Sequence, residues 1–295
     1  MTRNTVPEML LIRSSSAKAP ESVPNLVSKV ALVVTSPPYH NAISYKTHSK
    51  DSNANYRTRS ELNYGSQYMP FLNSVWDASI QMLRPGGILA INVGSVLEDG
   101  HHFPLAEDII GEIESSGNAN FIRSIFWHKV TAGVKRAGSV IQHPYPGYWH
   151  PNIMTEHLML FIKPGASLEM NQNYPTEWNH PVWDLAPVPP RTIDHPAPYP
   201  EDLPHRLIRM FTQEGEWVMD PFNGAGATSK AAFDLKRNSL GFDIENKYIS
   251  IAKKRLSKPS AVRQNQLHIE PVDVNKFKPK PSKGRTRQGS GLKSK

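Results

Sequence analysis

Ser36, Pro37, Pro38 and Tyr39 follow one another directly after a run of apolar residues, and these residue types suit the binding of an aromatic amine. The apolar run, which ends at Thr35, predicts a buried strand. The two prolines lack N–H groups and stiffen the backbone, so their carbonyl oxygens are free to accept hydrogen bonds. Ser36 adds a hydroxyl acceptor, and the Tyr39 ring can stack on a planar substrate. An exocyclic amine that donates to Ser36 and to the Pro37 carbonyl would have its lone pair localised for attack on an electrophile.

The segment from Asp220 to Thr228 has the composition of a loop that binds a nucleotide cofactor. It reads Asp-Pro-Phe-Asn-Gly-Ala-Gly-Ala-Thr and lies between a short apolar strand and a predicted helix. Glycine permits positive φ and close approach of a ligand, and the start of a helix presents unpaired N–H groups. Asp243 ends the next predicted strand about 20 residues later, where a carboxylate can accept hydrogen bonds from both ribose hydroxyls. A lone glycine turn is a weak signal, whereas the whole succession predicts a nucleotide-cofactor site.

The composition excludes several other chemistries. The chain of 295 residues has no cysteine, which excludes disulfides, thiolate nucleophiles and cysteine-ligated zinc. Its 12 histidines show no metal-ligand spacing, so we predict no metal site. No apolar run reaches the roughly 20 residues that span a bilayer, and the N-terminus lacks the apolar core of a signal peptide. These features predict a cytoplasmic protein without membrane association.

Strands and helices alternate along most of the chain, which predicts a mainly parallel sheet with helices on both faces. The predicted strands cover residues 29–35, 88–93, 121–128, 157–162, 216–219, 240–243 and 266–274. The predicted helices cover residues 68–83, 104–113, 203–211, 225–236 and 247–256. We therefore expect the chain to enter the sheet at the strand that ends in Thr35.

Three long stretches, residues 40–65, 129–151 and 163–195, lack a periodic apolar pattern and are predicted loops. Loops of this length in a compact domain commonly bind a ligand. The first two interleave cations with aromatic residues, which suits phosphate contact and base stacking, although ordinary surface loops are the alternative. The cations that we assign to nucleic-acid contact are Lys46, Arg57, Arg59, Lys135 and Arg136.

The net charge of +8 is concentrated at the C-terminus. Residues 276–295 contain eight Lys and Arg residues and no acid, so this segment alone accounts for the excess. It is rich in Pro, Gly and Ser, which predicts a disordered basic tail over residues 275–295. Such a tail either raises non-specific affinity for DNA through phosphate neutralisation or is a solvated terminus without a role.

The motifs together resemble those of the DNA methyltransferases that modify amino groups. Asp-Pro-Phe-x-Gly-x-Gly-x-Thr is similar to the family's cofactor motif, and Ser-Pro-Pro-Tyr to the catalytic signature of its cytosine-N4 members. The segment from His195 to Pro200 is similar to the family's His-Pro-x-x-x-Pro motif, and the strands that begin near Trp127 and Glu156 resemble family strands less specifically. The catalytic motif precedes the cofactor motif, which is the circularly permuted order of the beta group. The likeness covers about residues 29–256.

This resemblance implies a fold and a division of the chain. The implied fold is a circularly permuted, Rossmann-like α/β fold with a seven-stranded mixed sheet, in which the strand at residues 157–162 runs antiparallel. The implied parts are an N-terminal extension (1–28), a catalytic half (29–163) with DNA-contacting loops at 40–65 and 129–151, a candidate target-recognition segment (164–195), a cofactor half (196–274) and the basic tail. No oligomeric state is implied.

The resemblance also implies the cofactor and the role of each site residue. The implied cofactor is S-adenosyl-L-methionine, with its methionine part surrounded by the glycine loop and its ribose held by Asp243. The implied catalytic residues are Ser36, Pro37, Pro38 and Tyr39, and the implied cofactor-binding residues are Thr35, Pro198, Asp220, Phe222, Gly224, Gly226, Thr228 and Asp243.

The implied substrate is the N4 amino group of a cytosine that is flipped out of double-stranded DNA and stacked on Tyr39. Ser36 favours cytosine because Asp is commoner at this position in adenine-N6 enzymes, and many of those enzymes have Lys where Tyr199 stands. The absence of cysteine excludes the usual route to cytosine C5, which needs a thiolate. A restriction endonuclease that acts on the same DNA site is an implied partner.

Several alternatives stay open at this point. The target is adenine N6 in one of them, and RNA or a protein amide in others. In a further alternative, the chain is a catalytically silent DNA-binding protein that keeps the fold. The intact Ser36–Tyr39 segment argues against the silent protein, and the order of the motifs argues against glutamine methyltransferases.

Overall fold

The computed structural model describes residues 7–38, 63–98, 101–129, 154–189, 192–193 and 199–257, and the structural statements below concern these residues. The strands are β1 (Met9–Arg13), β2 (Val30–Thr35), β3 (Leu83–Gly94), β4 (Val96–Glu98), β5 (His101–Phe103), β6 (Asn120–Lys129), β7 (Thr155–Ile162), β8 (Val182–Leu185), β9 (Trp217–Asp220) and β10 (Asn238–Asp243). The α-helices are α1 (Ala19–Ser22), α2 (Met69–Met82), α3 (Leu105–Ser116), α4 (Asp202–Phe211), α5 (Ala227–Asp234) and α6 (Asn246–Leu256).

Eight of these strands form one mixed sheet in the order β1-β10-β9-β2-β3-β7-β6-β8, and β4 and β5 pair as a separate antiparallel hairpin. The first five strands in that order are mutually parallel. β7 runs antiparallel to both β3 and β6, as predicted for the strand at residues 157–162. The predicted mixed α/β fold is confirmed.

Buried side chains form a separate hydrophobic core on each face of this sheet. All six residues of β2 are buried, as expected of a central parallel strand, with Val33 in one core and Leu32 and Val34 in the other. Helices α2 and α3 complete the first core, and α4 and α5 complete the second, with α6 packed beside α5. The central strands are therefore fixed from both sides, and their carboxyl ends carry the loops of the predicted site.

The sheet differs from the prediction at its two edges. The chain enters at β1 rather than at β2, so part of the predicted N-terminal extension belongs to the sheet. β8 adds a strand inside the predicted loop at 163–195. Both strands are short edge strands, and short runs give a weak periodic signal. The predicted strand at 266–274 lies outside the described residues.

Among the described residues, no helix has the length and apolar character that a membrane crossing requires.

Candidate functional site

The two predicted motifs meet at one edge of the sheet. β2, β9 and β10 are parallel, and β9 lies between the other two, so their carboxyl ends point to the same side. Ser36 follows β2, Gly224 lies in the loop after β9, and Asp243 ends β10. In open α/β sheets, ligands bind in the crevice outside these strand ends.

Asp220 ends β9, the middle one of these three strands, and is buried, with 1 % of its surface exposed. Its Oδ1 accepts hydrogen bonds from Thr35 Oγ1 at 2.7 Å and from the Phe222 N–H at 3.0 Å. Its Oδ2 accepts from Thr228 Oγ1 at 2.6 Å and from the Tyr199 hydroxyl at 3.0 Å. The Tyr199 and Thr228 hydroxyls also contact each other. One carboxylate therefore ties the end of β2 to β9, to the start of α5 and to the segment before α4.

The Asp220 cluster keeps Tyr199 neutral. Burial raises the pKa of Asp220, while the hydrogen bonds that it accepts act in the opposite direction. Burial, together with the neighbouring Asp220, raises the pKa of Tyr199 well above its usual range, so its hydroxyl stays a donor. Sequence reasoning assigned Pro198 to the cofactor site and gave the adjacent Tyr199 no contact. Tyr199 lies in the His-Pro-x-x-x-Pro segment, and this position is the sequence signal that indicates a role for it in the site.

The glycine loop is shaped by packing between its own residues and their neighbours. Asn223 Oδ1 accepts from Ser229 Oγ at 2.7 Å, and a Cβ added to Gly241 would lie 2.6 Å from Asn223 Cγ. Gly226 has a φ of 81°, and a Cβ added there would lie 2.8 Å from the Ala252 Cβ in α6. Gly226 is therefore required by backbone conformation and by helix packing, and its contact with the cofactor stays a prediction.

Asp243 closes the loop from the side of β10. Its Oδ2 accepts from the Gly224 N–H at 3.0 Å, and its Oδ1 accepts from the Glu245 N–H at 2.8 Å. Burial raises the pKa of Asp243 to about 7, against the lowering effect of these two hydrogen bonds. Each carboxylate oxygen has a second lone pair, so Asp243 can still accept from ribose hydroxyls.

The turn after β2 is held in place through Pro38. Its carbonyl oxygen accepts from the hydroxyl of Tyr68, a fully buried residue before α2, at 2.9 Å. The Pro38 carbonyl therefore holds the turn, and the Pro37 carbonyl is left as the predicted acceptor from an amine. Tyr68 was missed because it is 30 residues away in the chain and has the spacing of a helix core residue.

Phe222 contacts helix α2 as well as lining the loop. Its ring centroid lies 6.1 Å from that of Phe71 and 6.2 Å from that of Trp76. Phe222 therefore packs on the first core, and its predicted contact with the cofactor stays a prediction.

Part of the predicted site lies outside the described residues, including most of the loops at 40–65 and 129–151. These residues are Tyr39, Lys46, Arg57, Arg59, Lys135, Arg136 and Pro198. In the candidate target-recognition segment, the described part contributes β8 to the sheet and buries Trp178 and Trp183 in the second core. That part of the segment is therefore integral to the fold.

The chemistry of the strand ends suits S-adenosyl-L-methionine, which carries a sulfonium, an ammonium and two ribose hydroxyls. Asp220 and Asp243 stand on either side of the glycine loop. Within the described residues, the hydrogen bonds that these two carboxylates accept come from hydroxyl and backbone N–H groups, which are neutral. In their ionised form, these two carboxylates can therefore attract a cationic ligand.

The sheet, the glycine loop and the Ser-Pro-Pro turn have the arrangement that the resemblance to amino-group methyltransferases implied. The family described as DNA methylase, the N6/N4 methyltransferases, matches residues 30–254. The chain belongs to this family, which confirms the predicted S-adenosyl-L-methionine-dependent DNA methyltransferase.

Two curated relatives show how far the likeness extends. The chain is 29 % identical to the Type II methyltransferase M.MjaI of Methanocaldococcus jannaschii over 221 residues, which cover 68 % of this chain and 69 % of the relative. It is 27 % identical to the Type II methyltransferase M.BglI of Bacillus subtilis, over 77 % of this chain and 80 % of the relative.

Solved structures show the same fold. A DNA modification methylase of Thermus thermophilus, complexed with S-adenosyl-L-methionine, superposes with a TM-score of 0.61 at 28 % identity, over 84 % of this chain and 94 % of that one. The cytosine-N4-specific PvuII DNA methyltransferase superposes with a TM-score of 0.68 at 16 % identity, over 87 % of this chain and 89 % of that one.

Proposed function

We propose that the chain transfers a methyl group from S-adenosyl-L-methionine to N4 of a cytosine flipped out of double-stranded DNA. The observation that carries this proposal is the hydrogen bond of 2.7 Å from Thr35 to Asp220. It joins the residue directly before the Ser-Pro-Pro turn to the residue that opens the cofactor loop. The group that binds the amine is thereby held beside the loop that binds the methyl donor, as direct transfer requires.

The chain's residues act on the amine rather than on the methyl donor. Ser36 and the Pro37 carbonyl accept hydrogen bonds from the two N–H groups of the amine. These hydrogen bonds turn the nitrogen toward tetrahedral geometry and localise its lone pair. When bound, S-adenosyl-L-methionine supplies an electrophilic methyl group on a sulfonium. The nitrogen would bond to that methyl as the methyl–sulfur bond breaks; S-adenosyl-L-homocysteine would leave and the nitrogen would lose one proton, so no covalent bond to the protein would form. A chain without cysteine is compatible with such chemistry.

Ser36 and Tyr199 support the choice of cytosine over adenine, because adenine-N6 enzymes more often carry Asp and Lys at these two positions. In the structure, Tyr199 gives Asp220 a neutral hydroxyl donor at 3.0 Å, where a Lys would bring a positive charge. We expect the size of the base pocket to separate the two bases further, since cytosine has one ring and adenine two.

The DNA partner is assigned to residues outside the described part of the chain. We propose that Tyr39 stacks on the flipped base and that Lys46, Arg57, Arg59, Lys135 and Arg136 contact phosphates. M.MjaI and M.BglI are named Type II methyltransferases. By analogy, this chain acts in the cytoplasm within a restriction-modification system, together with an endonuclease of the same site specificity.

Analysis of the methylated nucleosides tests the proposal. The protein is incubated with isotope-labelled cofactor and unmethylated genomic DNA, and the digested nucleosides are identified by mass spectrometry. We expect labelled N4-methylcytosine, and a rate about 100-fold lower for Ser36→Ala, which removes one acceptor from the amine. N6-methyladenine as the sole product would overturn the cytosine assignment. Transfer to RNA or protein alone, or no transfer at all, would overturn the function.

A further inference from the structure

A second buried carboxylate, Glu156, lies at the same edge of the sheet as Ser36. β7 runs antiparallel to β3 and β6, so its first residues lie beside the carboxyl ends of those strands. Glu156 pairs with Gly94 of β3 on one side and with Trp127 of β6 on the other. The predicted roles of site residues included no part for this carboxylate.

Both oxygens of Glu156 are engaged by groups that can only donate. The Asn92 Nδ2 donates to Oε2 at 2.5 Å, and the Lys129 Nζ lies 2.5 Å from Oε1. The Lys129 ammonium also lies 5.4 Å from the centroid of the Trp127 ring. Three neighbouring strands, β3, β7 and β6, thus each contribute one member of a network that we call the Asn92–Glu156–Lys129 network.

Stability alone is a poor reason for such a network. The side chains of Lys129 and Glu156 are only 12 % and 8 % exposed, so both charges have lost most of their hydration. The attraction within a buried ion pair commonly does little more than offset this loss, and well-packed apolar residues often serve the fold as well. Fixed orientation of the groups is what a buried pair of this kind provides.

The ion pair orients the Asn92 amide, which lies next to the Ser-Pro-Pro turn. Thr35, the last residue of β2, pairs with Ile91 of β3, so Ser36 leaves β2 at the level of Asn92 on the neighbouring strand. Neighbouring strands lie about 5 Å apart. Asn92 is itself buried, with 1 % of its surface exposed.

We propose that Lys129 and Glu156 are positioning residues that hold the Asn92 amide in one orientation beside Ser36, where it contacts the polar edge of the target base. This inference rests on the proposed function. The network carries one positive and one negative charge and is neutral as a unit, which suits a neutral base. The Asn92 amide supplies both a donor and an acceptor for the ring atoms beside the amino group.

The test uses the difference between a carboxylate and an amide. In Glu156→Gln, one oxygen becomes an NH₂ group that faces a donor, so the Asn92 amide loses its fixed orientation. We expect kcat for DNA methylation to fall about 10- to 100-fold, as misplaced groups commonly cause, with cofactor Kd within about twofold of wild type. In the double variant Lys129→Met with Glu156→Gln, the Gln oxygen can again accept from Asn92, and we expect kcat to recover in part.

Two further variants separate positioning from folding. Asn92→Leu should lose as much activity as Glu156→Gln, and the two changes together should lose no more than either alone, because they act through one group. Lys163→Met is the matched control: Lys163 follows β7 at its other end and donates to the Leu83 carbonyl at 2.7 Å, at the amino end of β3. It should leave kcat unchanged.

The outcomes distinguish the inference from the function on which it rests. Wild-type transfer to DNA with an unchanged kcat in Glu156→Gln would overturn the network alone. The network would also be overturned if the losses of kcat in Glu156→Gln and Asn92→Leu multiply when the two changes are combined. The same holds if Lys129→Met restores no activity to Glu156→Gln. Absence of transfer by the wild-type protein would overturn both.

Discussion

Asp220 and Glu156 are buried carboxylates at the same edge of one sheet, but their hydrogen-bond donors differ. Among the described residues, the groups that donate to Asp220 are three hydroxyls and one backbone N–H, all of them neutral. Glu156 is held by the ammonium of Lys129 and by the amide of Asn92. The first carboxylate keeps its negative charge uncompensated by the groups that bind it, and the second does not.

This difference matches the ligands that the two carboxylates are proposed to serve. S-adenosyl-L-methionine brings a sulfonium and an ammonium, and an uncompensated carboxylate attracts both. A flipped base is neutral, and a compensated carboxylate can orient polar groups without adding a field. Under these proposals, the two halves of the site use a buried carboxylate for attraction on one side and for orientation on the other.

The largest expected effect comes from Asp220→Asn. Hydroxyl groups can accept as well as donate, so Thr228 and Tyr199 can accept from the new amide and the fold should survive. The lost charge should raise the Kd of S-adenosyl-L-methionine about 50- to 100-fold, since a unit charge several ångströms away contributes roughly 2–3 kcal/mol at an effective dielectric constant of about 20. Calorimetric titration measures the affinity.

Glu156→Gln is the matched control for that experiment, because it makes the same chemical change in the other carboxylate. Its cofactor Kd should stay within about twofold of wild type, while its kcat falls. Equal losses of cofactor affinity in both variants would show that the two carboxylates do not divide their roles.

Asp243→Ala should have the next largest effect, about 30-fold weaker binding of the cofactor. The reason is the loss of a charge-assisted hydrogen bond to the ribose, which contributes roughly 1.5–3 kcal/mol, or about 10- to 150-fold in affinity. The variant also frees the Gly224 N–H that Asp243 now holds at 3.0 Å. Calorimetry on a folded variant measures the change, with the exposed Asp184 replaced by Ala as control. An unchanged affinity would remove Asp243 from the cofactor site.

The raised pKa of Asp243 predicts a dependence of cofactor affinity on pH. With a pKa of about 7, this carboxyl is mostly protonated below neutrality and is a weaker acceptor there. Affinity should therefore rise about tenfold from about pH 6 to about pH 8, as the ionised fraction grows. Asp243→Asn keeps the other titrating groups, including those of the cofactor, and should lose this part of the dependence. An identical pH profile in both proteins would contradict the prediction.

The same pKa fixes the sign of a stability effect. The folded pKa of Asp243 lies above the ordinary value of about 4, so between these two values the folded state binds the proton more tightly than the unfolded state does. The contribution of Asp243 to the free energy of unfolding should thus decrease as pH rises from about 4 to about 7. In Asp243→Asn, this part of the slope should disappear from denaturant unfolding curves.

The predicted cofactor half of the site is recognisable from sequence because its signals are local. The loop is nine consecutive residues between a strand and a helix, and Asp243 ends the following strand. The strands and helices of the body were predicted for the same reason, since each is a run with its own apolar period. The two motifs meet because β2, β9 and β10 are parallel neighbours, as the predicted mainly parallel sheet allows.

What could not be predicted depends on contacts between distant residues. Thr35 and Asp220 are 185 residues apart, and the bond between them exists only because β2 and β9 are neighbours. The Asn92–Glu156–Lys129 network joins three strands, and no spacing along the chain links its members. β1 and β8 were missed because each is a short run with no motif beside it, whereas the equally short β9 directly precedes the glycine loop.

Tyr199→Phe should have the smallest effect, because it removes one neutral donor of the four that surround Asp220 and leaves the ring in place. Loss of one such hydrogen bond costs about 1 kcal/mol. We therefore expect cofactor affinity to fall about fivefold and the free energy of unfolding to fall by about 1 kcal/mol. Tyr174→Phe is the control, since Tyr174 donates to Asn179 at 3.0 Å on the surface. The kcat at saturating cofactor should not change, because Tyr199 acts through Asp220 and not on the base. A loss of kcat with normal cofactor affinity would move Tyr199 to the base side of the site, and the division between the two carboxylates would have to be redrawn around it.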